Sequence, residues 1–274
     1  MWLTGGNRLE DRRQRRKVGL ALGGGAARGL AHIGVLSVLE ERGIPIDYIA
    51  GTSAGSVVGA LYAAGLSLRE IRLASEKIRW RNLLRLTVPR EGVVAARGLE
   101  EYLDRLIGGR TFEQLGIPFA AVSVDIITGE VVVLREGRVA EAVRASCAIP
   151  GIFSPVRRDG RLLVDGGLLN NLPSDVVREM GAEIVIGVDV NGDPPPARMP
   201  MGIFQIVIRS IEIMQWAGYQ CRKDQADLVI RPKMEAFSLL DLDHQDEYIA
   251  CGREAAEKAL GPVLEKDLIP AIFG

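Results

Sequence analysis

Histidine is nearly absent: His32 and His244 are the only two in 274 residues. That excludes a histidine-rich metal centre and limits which imidazole-dependent triads can be built. Cysteine is scarce as well. Cys147, Cys221 and Cys251 are odd in number and follow no CxxC spacing. They exclude a disulfide framework and a structural zinc site, and they suggest a reducing compartment. Neither sign of charge dominates, since 34 basic side chains against 35 acidic ones leave a formal net charge of −1. The chain as a whole is therefore no polyanion binder, and no nucleic-acid module is visible. Long apolar runs are missing too. VGLALGGGAARGL is broken by glycines and by Arg28 well short of the roughly 20 residues a membrane helix needs. The opening MWLTGGNRLEDRRQRRKV has no apolar stretch of signal-peptide type. A cytoplasmic location is expected, with any membrane contact made peripherally.

What is present is an ordinary globular composition, 47% hydrophobic and 25% charged, which supplies a sizeable core and excludes disorder. Residues 1–16 read as a basic, flexible tail. From Lys17 onward, short apolar runs fit for buried strands (KVGLAL, PIDYIAG) alternate with segments of helical spacing (GLAHIGVLSVLEERG, SAGSVVGALYAAG). This alternation predicts an α/β fold with a mainly parallel sheet. Residues 67–110 read as a helical insertion. Between 69 and 90 it carries seven Lys or Arg against two Glu, interleaved with Ile71, Leu73, Trp80 and several leucines. Residues 67–98 are accordingly a candidate flap that meets anionic lipid, the competing expectation being a helix pair packed on the sheet with its arginines in water. Two later runs, IPFAAVSVDI and GEVVVLREG, are joined by Thr128-Gly129 as a hairpin, and AEIVIGVDV is the clearest buried strand. No linker divides the chain, so residues 17–274 are expected to form one domain.

Three motifs carry chemistry. Gly51-Thr52-Ser53-Ala54-Gly55 is a G-x-S-x-G between a predicted strand and a predicted helix. Glycines at Gly51 and Gly55 permit the sharp turn that lifts a serine hydroxyl into a cleft, and the next N–H, that of Ala54, then points at a developing oxyanion. Gly23-Gly24-Gly25-Ala26-Ala27-Arg28-Gly29 also lies between a strand and a helix, where a run of N–H groups makes an anion nest. A dinucleotide loop competes for this segment, but its G-x-G-x-x-G is imperfect: counted from Gly24 the third position is Ala26, and counted from Gly23 the sixth is Arg28. An oxyanion hole is the preferred reading, with Arg28 and Gly29 supporting the loop. Asp165-Gly166-Gly167 ends the apolar run RLLV, where a carboxylate either faces a cleft or caps a turn.

Taken in order, GGGAARGLAHIGVL, GTSAGS and VDGGLLNNLP with GAEIVIGVDV resemble the patatin-like phospholipase family over roughly residues 17–191. The resemblance implies a three-layer α/β/α fold and a bacterial-type serine acyl hydrolase that needs no cofactor and no metal. It implies Ser53 as nucleophile, Asp165 as base, and Gly24, Gly25, Ala26 and Ala54 as oxyanion donors. The substrate class it implies is a lipid or lysophospholipid ester. Ala26 departs from the glycine many members have there, although alanine keeps the N–H. His32 is expected to pack or hydrogen-bond, and His244, in the polar DLDHQDEY, is not expected to be catalytic. Asp125 and Asp189 are expected to cap turns, and Cys147 to be core. The alternatives are a regulatory or lipid-binding module with little turnover, and nucleotide binding at the glycine loop.

Overall fold

The computed structural model describes residues 15–77, 97–191, 202–234 and 244–265. Its framework is an eight-stranded sheet of β1 (Val18–Leu22), β2 (Tyr48–Thr52), β3 (Phe119–Asp125), β4 (Glu130–Leu134), β5 (Val156–Arg158), β6 (Arg161–Asp165), β7 (Ile184–Val188) and β8 (Leu228–Ile230). The strand order is β5-β6-β3-β2-β1-β7-β8, with β4 paired to β3 off this path. β8, β7, β1, β2 and β3 run parallel. The β3–β4, β3–β6 and β5–β6 pairs are antiparallel.

Strands such as VGLAL and IVIGV are apolar at every position because both faces of the sheet are covered. Val18, Leu20 and Leu22 of β1 point into the larger core cluster. That layer holds α1 (Ala31–Glu41), α2 (Ala54–Ala63), α3 (Leu68–Lys77), α4 (Arg97–Ile107), α5 (Val139–Ser146) and, at the end of the described chain, a helix over Gln245–Glu265. The opposite face is paved with small side chains, Ala21, Ala50 and Ala120, against which Val176 and Val177 of α6 (Ser174–Glu179) pack. Approach there is so close that a Cβ on Gly19 would lie 2.0 Å from Val177. The long helix α7 (Ile203–Arg222) completes this side, and the Gln245–Glu265 helix is α8. Among the described residues, no helix is long and apolar enough to cross a membrane.

One expectation changes here. Arg15 and Arg16, placed in the flexible tail, are tied down. Arg15 makes a two-pronged ion pair with Asp47 at 2.6 and 2.7 Å, and Arg16 donates to the Glu183 carbonyl at 3.0 Å. The ordered domain thus begins at least two residues earlier than the composition suggested. Of the 67–110 segment, the described parts bury Ile71, Ala74, Leu99, Leu103 and Ile107 in the main core. Residues 78–96, which carry most of the basic cluster, lie outside the described residues.

Candidate active site

Ser53 stands at the turn between β2 and α2 with φ 52° and ψ −123°. A non-glycine residue holds such a conformation only where the surroundings over-determine it, at a cost of about 1–3 kcal/mol. The flanking glycine is required by close approach, because a Cβ on Gly55 would lie 2.2 Å from the Leu22 carbonyl oxygen. The turn therefore packs directly on the end of β1, with the N-terminus of α2 just beyond the serine.

The strand register brings the carboxylate to this serine. β2 and β6 lie along the same edge of β3, since β4 occupies the other. β2 runs parallel to β3 and ends with Thr52 opposite Val122; β6 runs antiparallel and ends with Asp165 opposite Ser123. The two strands meet head-on at neighbouring positions of β3, and Ser53 and Asp165 stand at the junction. The Ser53 Oγ donates to Asp165 Oδ2 at 2.7 Å. The other carboxylate oxygen, Oδ1, accepts the Gly167 N–H at 2.8 Å. Burial raises the Asp165 pKa to about 6, while the hydrogen bonds from Ser53 and Gly167 pull it down. A carboxylate poised there is ionised at neutral pH yet basic enough to take a proton.

The glycine loop follows β1 and runs into a 3-10 turn over Ala26–Leu30. Among the described residues, the N–H groups of Gly25, Ala26 and Ala54 meet no protein acceptor. Gly24 differs from expectation. Its N–H donates to the Asn171 carbonyl at 3.2 Å and its own carbonyl accepts Asn171 Nδ2 at 3.1 Å, so this donor is already engaged. The cause is packing: a Cβ on Gly24 would lie 2.7 Å from Asn171 Oδ1 and 3.0 Å from Ser53 Cβ. Ala26 has φ 48°, a left-handed value that glycine adopts without strain. Arg28, within that 3-10 turn, is partly buried, and desolvation lowers its pKa against the raising effects of Glu212, Tyr248 and Asp189.

His32 is buried, and its Nε2 donates to the Gly23 carbonyl at 2.8 Å. Burial drops its pKa to about 4, so the ring is neutral and acts as a prop under the loop. His244 is exposed and 3.3 Å from Glu247, while the hydroxyl of Ser53 is directed to Asp165. Asp125 caps the β3–β4 turn through the N–H of Ile127, and the same oxygen accepts the Leu162 N–H of β6. Asp189 caps its own turn through the Asn191 N–H and pairs with Arg231. Cys147 is core, as expected, with its thiol pKa raised by burial. It also lines an apolar cavity of about 130 Å³ beside Ser53, together with Ala26, Leu30, Val58, Leu99 and Phe153. That is on the order of ten times the space one water needs, and the walls offer it few polar partners.

Two residues that the sequence gave no reason to single out belong to the site. Asn171 clamps Gly24 at two points, and Ser146 accepts the Ser53 N–H at 2.9 Å. Ser146 sat inside a segment read for its helix alone and Asn171 inside the VDGGLLNNLP motif without a role of its own, and nothing in their spacing marks the contacts they make.

A strained elbow serine bonded to a buried carboxylate, on an α/β/α sheet, places the chain among proteins equipped for nucleophilic acyl chemistry. The sequence matches the family described as patatin-like phospholipase over residues 20–178, more than half its length, and the chain belongs to that family. It is 42% identical over 186 residues to an uncharacterized NTE family protein of Mycobacterium tuberculosis, covering 66% of this chain and 51% of that one. It is 33% identical over 270 residues to patatin-like phospholipase domain-containing protein 7 of Rattus norvegicus, covering 86% of this chain and 20% of that one. The chain thus spans about half the length of the mycobacterial relative and a fifth of the rat one. Among solved structures, VipD from Legionella pneumophila matches with TM-score 0.54 at 14% identity, over 91% of this chain and 67% of that one, a likeness of fold.

Proposed function

We propose that the chain is a serine acyl hydrolase that cleaves carboxylic esters of lipids, phospholipids or lysophospholipids. The observation that carries this is the 2.7 Å hydrogen bond from the elbow Ser53 hydroxyl to buried Asp165. Asp165 accepts the Ser53 proton as Oγ attacks the acyl carbonyl, forming the tetrahedral intermediate. The N–H groups of Gly25, Ala26 and Ala54 stabilise its oxyanion, helped by the N-terminus of α2. Protonated Asp165 then gives the proton to the departing alcohol. In the second half, Asp165 takes a proton from water as it attacks the acyl carbonyl; when the acyl C–Oγ bond breaks, Asp165 returns that proton to Ser53 Oγ and the free acid leaves. No step calls for a metal or organic cofactor. The apolar cavity beside Ser53 suits the acyl chain.

The test uses p-nitrophenyl esters and lysophospholipids across detergent conditions, with a fluorophosphonate probe as a turnover-independent readout. Labelling of wild type but not of Ser53→Ala supports the proposal. Failure of both hydrolysis and labelling overturns it in favour of a binding module. Peripheral contact with an anionic membrane through basic residues of 67–98 is part of the proposal. Vesicle co-sedimentation at low and high salt checks it. Changing Arg79, Arg81 and Arg85 to Gln should weaken binding to anionic vesicles, and equal binding by both proteins would remove the contact.

A further inference from the structure

The last turn of α5 touches both halves of the site. The Ser146 side chain, fully buried, accepts the Ser53 N–H at 2.9 Å and donates to the Val122 carbonyl at 2.6 Å. Two residues on, the Ala148 carbonyl accepts the Asp165 N–H at 3.0 Å. One helix end therefore holds the backbone of the serine and the backbone of the carboxylate, and Val122 ties both to β3 at the β2–β6 junction.

We propose that Ser146 is a positioning residue that sets the Ser53 elbow against Asp165, an inference that rests on the Ser53–Asp165 reading above. The chemistry requires a hydroxyl. One group must accept from an N–H and donate to a carbonyl at the same oxygen, in a space closed to water. Among uncharged side chains of this size only serine and threonine do so well. Without it, the Ser53 N–H and the Val122 carbonyl lose a buried partner, and the φ 52° conformation of Ser53 loses one of the contacts that impose it. The hydroxyl has a second effect. It occupies the nucleophile's own N–H, so the oxyanion is left to the next N–H, that of Ala54. Near-attack geometry is demanding, and a displacement of about 1 Å costs on the order of 100-fold in rate.

The experiment compares wild type, Ser146→Ala and Ser146→Thr, with Ser53→Ala and Asp165→Asn as controls. The readouts are kcat, KM, the pH dependence of kcat/KM and the rate of fluorophosphonate labelling, on proteins whose folding is checked by circular dichroism. Ser146→Ala should lower kcat and the labelling rate together by about 10- to 100-fold. KM should stay within about twofold, and the acid limb should not move, because Ser146 makes no hydrogen bond to the Asp165 carboxyl. Ser146→Thr should recover most of the loss. General loosening of the site would instead raise KM and shift the limb. The proposal is overturned if Ser146→Ala keeps kcat and labelling within twofold, if KM rises as kcat falls, or if Ser146→Thr is folded and as slow as Ser146→Ala. Should Ser146→Ala fail to fold, Ser146→Thr decides: near wild-type kcat supports the proposal, and a folded but slow protein overturns it. Labelling and activity that persist in Ser53→Ala would instead sink the underlying dyad while leaving the Ser146 contacts intact.

Discussion

The two halves of the sheet contribute different things. The parallel half, β8-β7-β1-β2, delivers the glycine loop and the elbow serine from the C-terminal ends of β1 and β2. The antiparallel half, built from β4, β5 and β6 on β3, delivers only Asp165. In a wholly parallel sheet every strand end would point the same way, and a carboxylate would have to reach the serine from a neighbouring loop. Here β6 runs against β2 along one edge of β3, so two strand ends face each other directly. Rigid strands, rather than loops, fix the 2.7 Å contact, a placement that favours precise geometry.

Breaking the contact from either half should give the largest effect. Ser53→Ala and Asp165→Asn are each expected to lower kcat/KM by on the order of 1000-fold or more, about 4 kcal/mol, and the double variant to add little. Measured additivity of the two losses would mean the halves act separately. A more specific break is in pH. Since Asp165 titrates near 6 and must be ionised to accept a proton, kcat/KM should fall about tenfold per unit below that pH and level off above it. A pH–rate profile flat down to pH 4 would remove Asp165 as the base.

Stability tests the same carboxylate with the opposite sign. Its pKa is raised on folding, so the folded protein holds this proton more tightly than the unfolded chain. Wild-type stability should therefore fall as pH rises from about 4 to about 6 on account of this group, by up to about 3 kcal/mol. Asp165→Asn removes that cost, so its denaturant midpoint should exceed wild type at pH 8 and converge with it toward pH 4. On the parallel side the effect expected is smaller. Ala26→Gly relieves a left-handed alanine and should raise stability by up to about 1 kcal/mol with activity retained, as thermal melting and ester hydrolysis would show. Smallest of all, His244→Ala should leave kcat/KM within a few-fold; a large loss in a folded protein would replace the dyad by a triad.

The two halves were also unequally legible. Alternation of apolar runs with helical periods is a local signal, and it located β1, β2, β7 and the helices between them. The antiparallel half was read in part. The β3–β4 hairpin follows from Thr128-Gly129, where Gly129 has φ 73°. β5 went unseen, although Asp159-Gly160, with φ 49° and 76°, is a two-residue hairpin signal of the strongest kind. A three-residue strand reading VRR offers too little apolar pattern to notice. Arg15 and Arg16 were assigned to a tail because their partners, Asp47 and the Glu183 carbonyl, are distant in sequence.

The amino-acid sequence by itself determined the α/β class with its mainly parallel sheet, the serine elbow, the glycine loop and the candidate carboxylate, because turns, strand periods and short motifs are set by neighbours in the chain. Tertiary structure alone decided which N–H groups stay open. Gly24 and Gly25 are adjacent and chemically identical, yet Gly24 is clamped by Asn171, 147 residues away, while Gly25 is not. It also decided what holds the serine in its strained turn, since Ser146 reaches Ser53 across 93 residues. A hydrogen bond is satisfied by distance and direction in space, and residue spacing carries neither once the partners lie on different strands and helices.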